Sequence, residues 1–117
     1  MQDFKNLLVW QNSHACTLLI YRLTKRFPDD ERFGLTSQLR RGTASIAANL
    51  AEGCGRGGDQ DFARFVQMAM GSAAVVEYHL ILARDLENVN SDDFATAVGA
   101  IEEVKRMLAS QLKTVRK

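Results

Sequence analysis

The stretch Leu35–Gly58 reads LTSQLRRGTASIAANLAEGCGRGG. Its large apolar residues, Leu35, Leu39, Ile46 and Leu50, recur at helical spacing. Gly42, Thr43, Ala44, Ala47, Ala48 and Ala51 keep the rest of the surface small, so a neighbouring backbone can come close. Arg41, Ser45, Asn49, Glu52 and Arg56, three or four residues apart, form a polar stripe on the same helix. The stripe reads as a semi-buried seam that holds packing register, because small residues flank it on both sides. The helix runs out into Gly53, Gly55, Gly57 and Gly58, a common way for a helix to end.

The rest of the chain reads as helix built around this one. Leu7 to Arg26 carries two adjacent apolar stripes: Leu7, Trp10, His14, Leu18 and Tyr21, and beside it Cys16, Leu19, Ile20, Leu23 and Phe27. Pro28 closes that helix, and Asp29–Arg32 reads as a solvated connection. Thr36 or Ser37 is placed to cap the second helix, and Asp59 the third. The third helix, Gln60 to Leu86, has a core line of Phe62, Phe65, Ala69, Ala73, Val76, Leu80 and Ala83. Beside it runs a second apolar line of Met68, Val75, Leu82 and Leu86, which implies burial on more than one side. Ser91 with Asp92 and Asp93 opens a fourth helix, whose stripe is Phe94, Val98, Ile101, Val104, Leu108 and Leu112. Four helices with short connections predict one all-α domain over residues 1–117, an antiparallel up-down-up-down four-helix bundle.

The strings Ser37–Arg41, Ser45-Ile46, Asn49–Gly53 and Gly55-Arg56 resemble the signature of a bacterial four-helix bundle family. Phe4–Trp10, Phe27-Pro28, Phe62–Phe65 and Gly71-Ser72 extend the resemblance over nearly the whole chain. That family includes proteins encoded within intervening sequences of large-subunit ribosomal RNA genes, and is similar to the accessory variability proteins of diversity-generating retroelements. The resemblance implies a homo-pentameric ring of bundles. For the retroelement proteins it implies a basic surface that binds nucleic acid and a reverse transcriptase. This chain departs from the pattern at Val75, where many relatives carry a glutamate, and at Cys54, where an aromatic is common.

Composition narrows the function classes. The chain has 117 residues, 46% hydrophobic, and a net charge of +1, unlike the strongly basic accessory proteins. Residues 1–56 carry eight basic against five acidic residues, 57–104 two against nine, and 105–117 five against none. The apolar stretches are broken short of the roughly 18 residues of a membrane span, and the amino terminus shows no signal-peptide pattern, so the expected location is the cytoplasm. Cys16 and Cys54 read as free, inert thiols in a reducing compartment.

No motif points to catalysis. Gly53, Gly55 and Gly58 spell G-x-G-x-x-G, but a dinucleotide fingerprint follows a strand and this one follows a helix. No Glu-x-x-His pair of the di-metal bundles occurs, and Glu77 and His79 fall on different helix faces. His14 and His79 read as one core or interface imidazole and one surface imidazole rather than as metal ligands. The expectation is a non-enzyme with no cofactor or metal.

Two functions stay open. The first is a homo-oligomeric interaction scaffold, a pentamer by the resemblance, with no membrane contact. Its interface would comprise Met68, Val75 and Leu82, with Arg41 and Glu77 level on antiparallel helices and able to pair. The second is a nucleic-acid accessory protein that grips RNA or DNA phosphates with Lys5, Arg56, Arg64, Lys113, Arg116 and Lys117, gathered at one end of the bundle.

Overall fold

Four helices form in the expected order in the computed structural model, which describes residues 3–115. They are α1 (Leu8–Thr24), α2 (Leu35–Arg56), α3 (Asp59–Asp85) and α4 (Ser91–Val115). Single 3-10 turns at Phe4–Asn6 and Asp29–Glu31 precede α1 and α2. Each helix packs on its neighbours in sequence, and α1 closes the square against α4. The result is an antiparallel bundle measuring 43 × 21 × 19 Å.

The core is the inner stripe of every helix. Ile20, Leu39, Ile46, Leu50, Leu80, Ile101 and Leu108 are fully buried, each contributing roughly 1.5–3 kcal/mol by leaving water. In α3 the buried line is Phe65, Val66, Ala69, Ala73, Val76, Leu80 and Ala83, with Phe62 half-buried at its start. Apart from Val66 this is the expected line. In α4 the buried line is Ala97, Ile101, Val104 and Leu108, with Phe94, Val98 and Leu112 packed at its edges.

α1 is rotated away from the first of its expected stripes and onto the second, whose Cys16, Ile20, Leu23 and Phe27 are buried. Its buried residues are Val9, Ser13, Cys16, Ile20, Leu23 and Thr24, whereas Leu18 and Tyr21 are exposed and His14 lies on the surface, its ring stacked on Trp10. Two hydroxyls make this rotation possible. Ser13 Oγ donates to the Val9 carbonyl at 2.7 Å and Thr24 Oγ1 to the Ile20 carbonyl at 2.7 Å, so both sit in the core without an unmet hydrogen bond.

The helix starts also differ from expectation. α2 is capped by neither Thr36 nor Ser37. Instead Glu31, in the 3-10 turn, accepts from the Leu35 N–H at 3.2 Å with one oxygen and from Asn88 Nδ2 at 2.8 Å with the other. One carboxylate from the supposedly solvated connection thus ties the α1–α2 turn to the α3–α4 turn. Gly58, not Asp59, stands at the α3 N-cap, and Asn90 caps α4 by accepting from the Asp93 N–H at 2.7 Å.

α2 and α3 come closest of all. A Cβ on Gly42 would stand 2.7 Å from Val76 Cγ2, and one on Gly53 would stand 2.9 Å from Phe65 Cβ. Small residues at these two points let the helices approach. Gly57 ends α2 at φ 83°, in the left-handed region that favours glycine.

By length and mean composition α3 is long and apolar enough to cross a membrane, although polar and charged residues such as Arg64, Gln67 and Glu77 break its apolar stretches well short of the roughly 18 residues of a span. Alanines, a glycine and a serine extend its apolar run, and 33% of that window is buried inside the bundle.

Candidate functional site

The outer face between α2 and α3 carries three of the five residues expected at the interface, Arg41, Met68 and Val75. α2 runs antiparallel to α3, and Ser45 Oγ meets Ser72 Oγ at 3.0 Å. Asn49 Nδ2 donates to the Ser45 carbonyl at 2.9 Å and to its hydroxyl at 3.1 Å. These three residues are half-buried and form a short polar seam. The rest of the stripe is surface: Arg41 is exposed, and Glu52 pairs with Arg56 at 2.9 Å on its own helix.

Above the seam lies a groove of about 370 Å³ lined by Gln38, Arg41, Gly42, Ser45, Gly71, Ser72 and Val75. Val75 is 50% exposed at its edge, and Met68, two turns earlier on α3, is 46% exposed. Both therefore stand on an open apolar flank. Leu82 continues the same line in sequence but is half-buried and packs against the core. His79 is also half-buried, and its Nδ1 is a buried nitrogen with no hydrogen-bond partner.

Glu77 does not join this face. It is turned towards α4, where Lys105 Nζ approaches its Oε1 at 2.7 Å in a half-buried pair. Arg41 and Glu77 are level along the bundle, as expected, but they look in different directions. Height along an antiparallel pair follows from residue counting, whereas direction depends on rotation about the helix axis. The Arg41–Glu77 pair is therefore absent within the chain.

At the opposite end, α4 does return beside the α2–α3 turn. Val115 shares a shallow pocket with Asp59, Gln60, Ala63, Arg64 and Gln67. Three expected phosphate ligands have carboxylates beside them: Lys5 lies 4.0 Å from Asp3, Arg56 2.9 Å from Glu52 and Arg64 3.4 Å from Asp61. The Glu52 hydrogen bond raises the already high Arg56 pKa further. Arg56 and Arg64 also lie over the Phe65 ring, 5.1 and 4.6 Å from its centre. Lys113 is exposed, and Arg116 and Lys117 lie outside the described residues.

Cys16 and Cys54 are buried free thiols. Burial pushes Cys16 up to about 11, and Cys54 is raised by burial first and by Asp3 second. Thiols held protonated in this way are poor nucleophiles. Among the described residues no three His, Cys, Asp or Glu side chains gather where a metal could be held.

Fold and site together define an all-α antiparallel four-helix bundle with an open groove between α2 and α3. The chain belongs to the 23S rRNA-intervening sequence protein family, whose model matches residues 5–110. Its fold is similar to the crystal structure of a protein of unknown function from the S23 ribosomal protein family of Bacteroides thetaiotaomicron VPI-5482. That comparison has a TM-score of 0.84 at 24% identity and covers 91% of this chain and 96% of the other, a likeness of fold. No curated protein matches the chain. Neither matching description names a catalytic activity.

Proposed function

We propose that the protein is a cytoplasmic, non-catalytic scaffold that assembles with copies of itself, the family resemblance pointing to a five-membered ring. The observation that carries this reading is the apolar flank of α3. Met68 and Val75 stand 46% and 50% exposed on one side of a helix whose other side is core. Large side chains left in water beside a groove are characteristic of association surfaces.

The mass of the protein by size exclusion with light scattering tests the reading. A multiple of 13.1 kDa is expected, and Met68→Asp should lower it. Met68 is already half in water, so that change leaves the core intact. A wild-type protein that stays at one chain's mass at micromolar concentration would overturn the proposal. Leu82→Asp, attractive from sequence, would confuse loss of assembly with damage to the core.

Nucleic-acid binding is the weaker reading. The Asp3, Glu52 and Asp61 carboxylates compete with phosphate for Lys5, Arg56 and Arg64. If the assembled end nonetheless binds RNA, affinity should fall by about a thousandfold or more between low and moderate salt where six or more contacts form. A gel shift with mixed RNA and DNA at low salt decides it, and no shift removes this reading.

A further inference from the structure

Large apolar side chains are exposed unevenly over the bundle. Leu8, Phe33 and Leu86 lie towards its ends. Along its sides the exposed ones are Leu18 and Tyr21 on α1 and Met68, Val75 and Tyr78 on α3. Among the described residues α2 and α4 contribute none. Two apolar arms therefore flank α2, while the outer side of α4 carries charge, including Glu102, Glu103 and Arg106.

The two arms differ in shape. The α3 arm borders a groove walled by small residues: Gly71 has no atom within 4 Å of an added Cβ, and Ser45 and Ser72 form its floor. The α1 arm is a pair of projecting side chains, Leu18 and Tyr21, 46% and 41% exposed. They stand at the height of the groove. Arg40, next to the groove's Arg41, reaches Thr24 Oγ1 at 2.9 Å and the Tyr21 carbonyl at 3.3 Å. From there α1 descends towards Leu18 as α2 descends towards Ser45.

We propose that copies of this chain join head to tail, with Leu18 and Tyr21 of one copy seated in the Arg41–Gly71–Val75 groove of the next. This inference rests on the self-assembly reading above and adds to it the two surfaces that meet. A projection and a recess on different faces make a heterologous contact, and such contacts close into rings when the faces are correctly angled and share a height. Here the α1 side and the α2/α3 side adjoin across α2. The two faces are therefore neither parallel nor opposed, so successive copies are turned relative to one another, as a closed ring requires. Arg41 is placed to lie over the incoming Tyr21 ring, as Arg40 lies over the same ring 4.8 Å from its centre within one chain. The charged side of α4 is left in water.

The test uses two variants that each spoil one surface. Leu18→Asp removes the projection at a half-exposed position. Gly71→Leu fills the groove where there is open space, and leucine suits a helix better than glycine, so this variant should melt no lower than a wild-type monomer. Each variant alone should run at 13.1 kDa by light scattering. Mixed in equal amounts they should form a one-to-one dimer and nothing larger, because only one intact projection and one intact groove remain. Leu18→Asp that keeps the wild-type oligomer mass, or a mixture that stays monomeric, overturns the pairing of these faces while self-assembly stands. A monomeric wild type overturns both.

Discussion

Gly42 lies at the closest approach of α2 and α3, with only 2.7 Å between an added Cβ and Val76 Cγ2. Gly42→Ala should therefore destabilise the fold by about 1–3 kcal/mol, since neither helix can retreat without opening the core. Gly99→Ala meets open space and should stabilise by up to about 1 kcal/mol. Thermal melts of the two variants should move in opposite directions, and a shared direction would refute the close-approach account. Cys16 makes a second prediction. With its thiol pushed up from 9.0 to about 11, it should resist iodoacetamide at neutral pH and react once the chain is denatured. An unfolded thiol ionises first, so stability from this group is complete below pH 9 and declines as pH rises towards 11, by at most roughly 1.4 kcal/mol per unit. Mass spectrometry of the alkylated protein and melts across that pH window check both halves.

At the scale of the element, the start of α2 depends on a residue outside it. Glu31 binds the Leu35 N–H and Asn88 together, so Glu31→Ala should cost about 1–2 kcal/mol and unravel the first turn of α2. Hydrogen exchange at Leu35–Ser37 would show it, and unchanged protection would reject the cap. Local spacing pointed to Thr36 and Ser37 because cap rules consider only neighbours. Glu31 qualifies only because the 3-10 turn folds its carboxylate back over Leu35. α1 teaches a related point. Its apolar residues cover more than half its circumference, so periodicity alone leaves the rotation undetermined. The core contains Ser13 and Thr24 because their hydroxyls bond the preceding turn, and Leu18 and Tyr21 are left outside. Leu18 and Tyr21, both exposed, thus look like core in the sequence.

For the molecule as a whole, the question is which surfaces remain after the bundle closes. Arg41 is exposed and has no bond to Glu77, so Arg41→Ala should leave the melting temperature of the single chain nearly unchanged and weaken only assembly. Light scattering and a melt on the same sample separate the two effects. Glu77→Gln should act oppositely, lowering stability through the half-buried Lys105 pair and sparing the groove. Of the expected interface, Met68, Val75 and Arg41 share the α2/α3 face, Leu82 lies partly in the core, and Glu77 belongs to the α3/α4 seam.

By itself the sequence determined the number, order and direction of the helices, the inner line of α3 and the centre of that of α4, and that some neighbouring backbone comes close to α2; that this neighbour is α3 was decided by the packing. Those features follow from spacing along one helix and from residue size, both written locally. Only the tertiary structure decided how α1 is turned, which carboxylate caps α2, which side Glu77 takes, and that two apolar arms remain on either side of α2. Each of these depends on rotation about a helix axis. A sequence pattern leaves that rotation free within tens of degrees when several faces are apolar, and packing against three other helices removes the freedom.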